Sequence, residues 1–463
     1  MLGIILNRDS QLQLWRQIYN AIKEMMMTGQ LKASDALPST RELSKELGVS
    51  RNTVYLAYEM LIAEGYAVSR QGAPTRVADG LYIEPQTVRQ SSHQSIKRTI
   101  TSDFRTGKPD LKQFPRFLWQ QLVNSTSAQL SLDLFNYSNN QGLFSLRKEI
   151  AAWLFRSRGM VVGPEDIFIS AGATHALHIL ANMLCKKDMK IIMEDPCHIG
   201  MLRALTHRQS IVVPIPVDTE GIAVNALPVD DKVKVVYVTP SHQFPLGGIL
   251  SATRRAALIR YARENNVYII EDDYDSEFRY HGESIAPLHA MDTQRVIYVG
   301  TFSKTLFPAL RIGYVILPFE LQQQWRELRT YMDVQNPPFE QAALTELLRT
   351  RKFDRHVQKM RRIYGQRRQV LLESLKQQLG DRYKAHGDNA GLHVAIECPG
   401  ISFDETFIKR CIDSGILITA MQTHCIQTDI HQNKLVIGYG HLEAEEIKAG
   451  VTHLAMLIKE AEG

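Results

Sequence analysis

One stretch near residue 300 constrains this chain more than any other, because it joins a buried strand to a lysine at fixed spacing from an arginine. The β-branched run from Val296 to Val299 predicts a strand, Lys304 follows it among small hydroxyl residues, and Arg311 comes seven positions later. A lysine amine can condense with an aldehyde, and a guanidinium binds phosphate through paired hydrogen bonds. Pyridoxal 5′-phosphate carries both groups. The plainer interpretation is a surface lysine and a helix-capping arginine.

A second stretch ends an apolar strand in a cluster of acids. The segment from Val267 to Glu277 holds five carboxylates within its last seven residues, and ligands of open α/β sheets bind at the carboxyl ends of the strands. A buried carboxylate keeps a pyridine nitrogen protonated, and a phenol can bond to the oxygen on the same ring. Asp272 and Tyr274 fit these two roles. The alternative is an acidic loop that binds a divalent metal ion.

Length and composition indicate a protein of two or three domains. Its 463 residues are 44% hydrophobic, which supports a sizeable core. No apolar run reaches ~18 residues, and Arg8 and Asp9 interrupt the start of the chain, so we expect a cytoplasmic protein without a membrane span. The net charge of +5 is small, so nucleic-acid binding has to be argued locally. The five cysteines have no CxxC spacing, which argues against disulfides or a zinc site: Cys185, Cys197, Cys398, Cys411 and Cys425.

The N-terminal part follows the pattern of a helix-turn-helix. Ser39 and Glu42 form a capping box that opens a short helix, and Ser50 caps the next one. Residues 66–77 alternate around a glycine turn, which is typical of a two-stranded wing. We therefore predict a winged helix-turn-helix DNA-binding domain, mostly α, over residues 1–77.

Several polar residues of this domain lie where DNA phosphates and base edges would be contacted. They cap the two helices, fill the first turn of the recognition helix or lie on the wing: Ser39, Arg41, Ser50, Arg51, Asn52, Thr53, Arg70 and Gly72. The expected partner is double-stranded operator DNA. The alternative is a three-helix module that binds another protein.

The remainder of the chain has a different organisation. Residues 78–101 are polar without an apolar period, which predicts a linker. Over residues 102–463, apolar runs alternate with helical segments, which predicts an α/β domain with a largely parallel sheet. A helical zone, residues 321–378, precedes a tail that predicts a small second lobe. The predicted strands of the large lobe are Ile191–Met193, Val233–Thr239, Val267–Glu271, Val296–Gly300 and Ile312–Leu317.

Three weaker motifs lie in this domain. The turn from Gly172 to Thr174 opens a helix whose free N–H groups can hold a phosphate, although such a turn is more often only a cap. Tyr137 lies in a polar segment before an amphipathic helix. His175 and His178 fall on an apolar helix face, where hydrogen-bonded core histidines are commoner than ligands.

Together these residues resemble a known family. It is the MocR/GabR-like regulators of the GntR superfamily, in which a winged helix-turn-helix is fused to a fold-type I aminotransferase-like domain with a large and a small lobe. The resemblance covers nearly the whole chain. Five strings carry it, in this order: Leu37–Leu43, Val49–Val54, Thr239–Gly247, Glu271–Tyr280 and Gly300–Lys304.

The resemblance implies a role for each matching position. Lys304 would be the Schiff-base lysine of pyridoxal 5′-phosphate, Asp272 the partner of the pyridine nitrogen, and Tyr274 the donor to the ring oxygen. His242 would join the cofactor-binding set through its string, and Tyr137 would reach in from the other subunit of a head-to-tail homodimer with swapped DNA-binding domains. The phosphate would lie against Arg311, Thr301, Ser303, Gly172, Ala173 and Thr174.

Two positions depart from the family pattern. His198 stands where an aromatic residue usually stacks on the pyridine ring, and an imidazole can still stack there. Val436 stands where an arginine usually clamps a substrate carboxylate. We expect no metal, and we predict a regulator that binds pyridoxal 5′-phosphate and senses a small amino compound or the cofactor itself, rather than an enzyme. An active aminotransferase with a DNA-binding module is the main alternative, and a cofactor-free dimerisation scaffold is the other.

Overall fold

The structure is a computed structural model that describes residues 2–80, 100–137, 140–206, 210–282, 285–427 and 430–462. These residues fall into two compact units, residues 2–80 and residues 100–462. Most of the predicted linker lies outside the described residues, so its bounds remain a prediction. No described helix is both long enough and apolar enough to cross a membrane.

The first unit has the helices and the wing that the sequence predicts. Its core contains Ile18, Ile22, Leu43, Val54 and Leu61, all fully buried. The elements are α1 (Leu14–Met27), α2 (Thr40–Leu47), α3 (Arg51–Ala63), β1 (Ala67–Val68) and β2 (Arg76–Val77). The two strands pair antiparallel.

The predicted helix caps of this unit are present. The Ser39 hydroxyl accepts a hydrogen bond from the Glu42 amide at 3.2 Å, and the Ser39 amide donates to the Glu42 carboxylate at 2.9 Å. The Ser50 hydroxyl accepts from the Thr53 amide at 3.1 Å. Both helices therefore begin where the sequence places them, because each cap satisfies an amide that has no partner inside its own helix.

The second unit begins with β3 (Ser102–Asp103) and is built on a sheet of eight strands. These are β4 (Ile167–Ser170), β5 (Lys190–Asp195), β6 (Ile211–Asp218), β7 (Gly221–Ile222), β8 (Val233–Val238), β9 (Tyr268–Asp273), β10 (Val296–Thr301) and β11 (Gly313–Ile316). The helices of this lobe are α4 (Arg116–Ser127), α5 (Phe144–Arg158), α6 (Ala173–Leu184), α7 (Ile199–Thr206), α8 (Ala252–Glu264), α9 (Phe319–Met332) and α10 (Pro338–Arg349).

The strand order is β4-β11-β10-β9-β8-β5-β6-β7, and the sheet is more mixed than the sequence predicts. The five strands from β10 to β6 are parallel, whereas β11 is antiparallel to both of its neighbours. The segment between β10 and β11, residues 302–312, is too short for the crossover helix that a parallel connection requires. The chain therefore returns as an antiparallel strand.

A smaller lobe follows, as predicted. Its four-stranded sheet has the order β12-β13-β16-β15, and β3 pairs in parallel with β14. The predicted helical zone ends in α11 (Lys352–Leu379) after two breaks, one of them at Pro337 and Pro338. The other elements are β12 (Lys384–His386), β13 (His393–Glu397), α12 (Glu405–Asp413), β14 (Ile416–Leu417), β15 (Thr419–Ala420), β16 (Lys434–Gly438) and α13 (Ala444–Glu462).

This topology fixes where a ligand can bind. Strands β4, β5, β8, β9 and β10 all end at one edge of the sheet, and β11 begins there because it runs the other way. The turns after these strands contain most of the residues singled out in the sequence, so residues more than a hundred positions apart meet at that edge.

Candidate functional site

A cavity of about 320 Å³ lies at the carboxyl edge of the large sheet. Side chains from the turns after five strands line it, together with residues from the start of the second unit and from the small lobe. The cavity brings together nine of the predicted residues: Ala173, Thr174, His198, Asp272, Tyr274, Thr301, Ser303, Lys304 and Arg311.

Lys304 lies in the turn after β10, and it is partly buried. The Nζ atom donates a hydrogen bond to the Gly107 carbonyl at 2.7 Å. Burial lowers the pKa of Lys304, against the opposing attraction of Asp275 and Asp272. A lysine whose charged form is disfavoured supplies more of the neutral amine, which is the form that attacks a carbonyl carbon.

Asp272 lies near the end of β9, and one of its two carboxylate oxygens has no partner. Oδ2 accepts a hydrogen bond from the Tyr237 hydroxyl at 2.7 Å, whereas Oδ1 is buried and unpartnered among the described residues. Burial raises the pKa of Asp272 to about 6. A buried acceptor without a donor is costly unless a ligand supplies one. A protonated ring nitrogen is such a donor, so Asp272 fits the role that the sequence assigns to it.

Tyr274 is held by His242, which lies behind it and does not line the cavity. The Tyr274 hydroxyl donates to the His242 carbonyl at 3.0 Å and lies 3.1 Å from Nδ1 of the same residue. Nδ1 also lies 3.1 Å from Oδ2 of Asp275. Burial alone would lower the pKa of His242, but Asp275 raises it overall. His242 therefore acts on the cavity through Tyr274 and Asp275.

One group of three potential metal ligands occurs among the described residues, and it consists of His242, Asp275 and His393. Both ring nitrogens of His242 already have partners, Asp275 and the Gly387 carbonyl. The Nε2 atom of His393 lies 3.1 Å from the Pro245 carbonyl. Protein groups thus already occupy these nitrogens, which is unfavourable for metal coordination.

The five acids of the predicted loop have different partners. Glu271 accepts hydrogen bonds from the Leu288 and His289 amides, both at 2.9 Å. Asp273 accepts at 2.5 Å from Arg158 and at 2.5 Å from the Tyr298 hydroxyl. These two carboxylates support the fold, so the acidic loop does not present all its carboxylates to one ion.

The end of the cavity near β4 and β11 suits a phosphate. Helix α6 begins there without a side-chain cap, which leaves its first N–H groups available. Arg311 donates to the Ala171 carbonyl, and a Cβ on Gly172 would lie only 3.1 Å from its guanidinium. Gly172 also has φ of 88°, a conformation that favours glycine. Thr301 donates to the Ser303 hydroxyl at 2.9 Å beside this cradle.

His198 forms part of the cavity wall at the start of α7. Its ring centroid lies 5.1 Å from that of Phe244. Burial and the nearby Lys304 lower the pKa of His198, so the imidazole is neutral near pH 7 and presents an uncharged face.

Sequence reasoning missed several residues of this site. Tyr237, Phe244, His393 and Gly107 all line the cavity. Phe244 lies inside a string that the resemblance had already marked, so it could have been found there. Gly107 and His393 carry no comparable signal, because pairing of β3 with β14 and the position of β13 bring them to the cavity.

Some predicted residues do not reach the cavity of their own chain. Tyr137 is 85% exposed and lies outside it. Val436, a residue of β16, is fully buried in the hydrophobic core. Arg105 and Arg203, two arginines that could replace the missing one in binding a carboxylate, do not line the cavity either. Arg105 forms two hydrogen bonds with the Asp103 carboxylate, at 2.9 and 2.8 Å.

The predicted DNA-binding residues lie on the surface of the first unit. Arg41, Asn52 and Arg70 are exposed, as is Gly72, whose φ of +79° favours glycine in the wing turn. Arg51 donates from Nε to the Thr40 hydroxyl at 3.2 Å, which ties α3 to α2. The hydroxyls of Ser39 and Ser50 are already used as helix caps.

A helix-turn-helix unit followed by an aminotransferase fold with this cavity defines a DNA-binding regulator built on an aminotransferase-like domain. Two families match the chain: "Bacterial regulatory proteins, gntR family" over residues 14–77, and "Aminotransferase class I and II" over residues 103–454. The chain belongs to the MocR-type transcriptional regulators, which combine these two domains. Regulators of the gntR type bind operator DNA, and class I and II aminotransferases depend on pyridoxal phosphate.

Relatives match over nearly their full length. The probable rhizopine catabolism regulatory protein MocR of Rhizobium meliloti is 31% identical over 99% of this chain and 97% of that protein. The pyridoxine biosynthesis regulator PdxR of Corynebacterium glutamicum is 31% identical over 96% of both chains. Kynurenine aminotransferase of Pyrococcus horikoshii, solved with PMP, is similar in structure with a TM-score of 0.73 and 25% identity, over 79% of this chain and 92% of that one.

Proposed function

We propose that the aminotransferase-like domain binds pyridoxal 5′-phosphate and controls DNA binding by sensing the cofactor itself or a small amino compound. One observation carries the proposal. A single cavity contains the Lys304 amine, whose pKa is lowered, and the unpartnered buried oxygen of Asp272, and Arg311 and the start of α6 lie at its far end. When bound, this cofactor supplies an electrophilic carbon and an electron sink for reactions of amines.

The residues of the cavity divide the work of holding that group. Lys304 would offer the amine for the aldehyde carbon, and Asp272 would keep a proton on the ring nitrogen. Tyr274, whose position is set by His242, would contact the ring oxygen. Arg311, Thr301, Ser303 and the amides that open α6 would hold the phosphate, because all of them favour an anion.

The cationic side chains that line the cavity indicate which class of effector it can bind. Among its described lining residues, the lysine and arginine side chains are Lys304 and Arg311. The cofactor would engage both of them. The position that usually carries a carboxylate-binding arginine is Val436, which is buried in the core. An arginine–carboxylate contact is worth about 1.5–3 kcal/mol, a ten- to hundredfold change in affinity. Simple α-amino acids should therefore bind weakly, which favours the cofactor itself or an amine without a carboxylate.

An active aminotransferase with a DNA-binding module remains the second candidate. The nine predicted cofactor-binding residues that line the cavity and the similarity to kynurenine aminotransferase favour it. The two candidates differ in turnover. A sensor needs only to bind, whereas transamination also needs the substrate carboxylate to be oriented beside the reacting carbon.

The test is operator binding by protein stripped of cofactor, measured with pyridoxal 5′-phosphate, with pyridoxal and with a panel of amines and amino acids. We expect the phosphorylated compound to change operator affinity while pyridoxal does not, because pyridoxal lacks the group that Arg311 binds. An Arg311→Gln variant should lose the response. Insensitivity to the cofactor together with a response to one amino acid would overturn cofactor sensing, and multiple turnovers with an amino acid would favour the enzyme.

A further inference from the structure

A second cavity, of about 310 Å³, lies outside the cofactor site. The end of α5, the loop after β9 and the start of α11 surround it. Arginine dominates the lining among the described residues, where five guanidinium groups face two carboxyl groups, Glu277 and Asp354. The arginines are Arg156, Arg158, Arg279, Arg351 and Arg361.

The two carboxyl groups do not balance this charge. Asp354 is already shared between Arg156, at 3.5 Å, and Arg351. Burial and the nearby Asp273 raise the pKa of Glu277 to about 8, which disfavours its charged form. Among the described residues, Arg279 and Arg361 form no ion pair, although Nε of Arg361 donates to the Glu277 carbonyl at 2.8 Å.

Buried donors in the wall of this cavity also lack partners. The Arg158 side chain is 5% exposed, and its Nη2 atom donates to Asp273 at 2.5 Å and to Ser241 at 3.2 Å. The Nε atoms of Arg158 and Arg279 are buried and have no hydrogen-bond partner among the described residues. Burying N–H donors without acceptors is unfavourable, so the arginines of this wall retain unused hydrogen-bonding capacity.

We propose that this arginine-lined cavity binds a small anion carrying two or more negative charges of the phosphate or carboxylate type. The matching of guanidinium groups to such oxygens is geometric as well as electrostatic. We favour a small anion over the backbone of a DNA duplex, because the site is a cavity of about 310 Å³ in whose wall the Nε atoms of Arg158 and Arg279 are buried.

One loop separates the two cavities. Asp272, Tyr274 and Asp275 line the cofactor cavity, and Ser276 and Glu277, the next residues, line the second one. The Arg158–Asp273 pair at the wall of the second cavity is also adjacent in sequence to Asp272. An anion that moves this loop would change affinity at the cofactor site, and the change would be reciprocal. This coupling rests on the proposed cofactor binding, whereas the anion site itself does not.

The test is calorimetric titration of cofactor-saturated protein with pyrophosphate and, separately, with citrate. Saturation keeps the Arg311 cradle occupied. We expect saturable binding of at least one probe and at least tenfold weaker binding in Arg279→Gln and Arg361→Gln variants. Lys359→Gln is the matched control, because Lys359 is exposed on the same helix as Arg361 but does not line the cavity. Circular dichroism and melting temperature should verify that each variant folds, and an Arg361→Lys variant should retain part of the affinity.

Three results would overturn the site. Equal affinity in the wild type and in both arginine variants would place the anion elsewhere. Loss of binding only in an Arg311→Gln variant would assign it to the cofactor cavity. Weaker operator binding by the arginine variants without any pyrophosphate or citrate binding would indicate a DNA contact instead. If the anion binds, unchanged pyridoxal 5′-phosphate affinity in its presence would contradict the coupling.

Discussion

Asp272 illustrates how a residue suited to ligand binding can reduce stability. Burial raises its pKa to about 6 in the folded chain, compared with about 3.9 in an unfolded chain. The folded state therefore binds the proton more tightly, and the free energy of unfolding falls as pH rises from about 4 to about 6. Above that range the full cost applies, on the order of 2–3 kcal/mol.

We predict that Asp272→Asn makes the cofactor-free protein more stable at pH 8 by about 1–3 kcal/mol, because the buried charge is removed. The gain should shrink towards pH 4, where the wild-type carboxyl is protonated. Thermal denaturation of the aminotransferase-like domain across this pH range measures it. Asp231→Asn, at an exposed position, is the control and should show no such dependence. The same Asp272 variant should bind pyridoxal 5′-phosphate more weakly, and a gain independent of pH would contradict the explanation.

Lys304 is expected to hold the cofactor covalently. Borohydride should fix the cofactor to Lys304 in the wild type, whereas Lys304→Ala should still bind it noncovalently, because the charge-assisted phosphate contacts remain. Absorbance and peptide mass spectrometry measure the two forms. Lys187→Ala, at an exposed lysine, should behave as wild type. Modification of a different lysine, or of none, would refute the assignment.

At the scale of elements, a side-chain hydrogen bond supplements the core packing between α2 and α3 of the DNA-binding unit. Arg51, the first residue of α3, reaches Thr40, the first residue of α2, through its Nε atom. This leaves its terminal nitrogens available to DNA while limiting the freedom of the side chain. Less conformational entropy is then lost when DNA binds.

We predict that Arg51→Ala weakens operator binding without unfolding the domain. If Arg51 contacts a guanine edge, the loss should be about 1–3 kcal/mol with relaxed specificity, and if it contacts a phosphate, the salt slope should fall by about one. Gel-shift titrations at several salt concentrations distinguish these outcomes. Arg16→Ala removes the same charge from an exposed position on α1 and should have a smaller effect. If the Arg51 variant binds the operator with unchanged affinity, α3 is not the recognition helix.

At the scale of the whole molecule, one segment of the second unit is rich in exposed apolar side chains. Six exposed large hydrophobic residues fall within residues 111–144, and where such side chains form one contiguous patch they usually bind another protein surface. The segment includes Tyr137, which is 85% exposed in its own chain. We predict, as the family resemblance implies, a homodimer in which Tyr137 acts in the partner's cofactor cavity.

We predict a homodimer in solution, and we expect the double variant Phe117→Asp, Leu132→Asp to be a monomer. Phe117 and Leu132 are 90% and 83% exposed in one chain, and aspartates at these positions would bury charge in the interface. Light scattering measures the mass. The monomer should also bind pyridoxal 5′-phosphate more weakly, since its cavity would lack Tyr137 from the partner. Val229→Asp, at an 86% exposed position, is the control. A variant that stays dimeric at the same concentration would exclude this surface.

The sequence alone determined the features that depend on neighbouring residues. Ser39 and Ser50 cap α2 and α3 as predicted, because a helix cap depends on residues within four positions of each other. The ends of β9 and β10 were also located within two residues, because β-branched runs end there. Asp272 lies at the end of β9, and Lys304 lies in the turn just after β10. Their presence in one cavity could therefore be anticipated.

The tertiary structure decided which distant residues meet. It made β11 antiparallel, assigned Glu271 and Asp273 to structural hydrogen bonds, and brought His393 into the cavity from the small lobe. It also gathered arginines from α5, from the loop after β9 and from α11 around one space. Local patterns cannot specify these contacts, because they depend on strand order and on how helices more than a hundred residues apart pack.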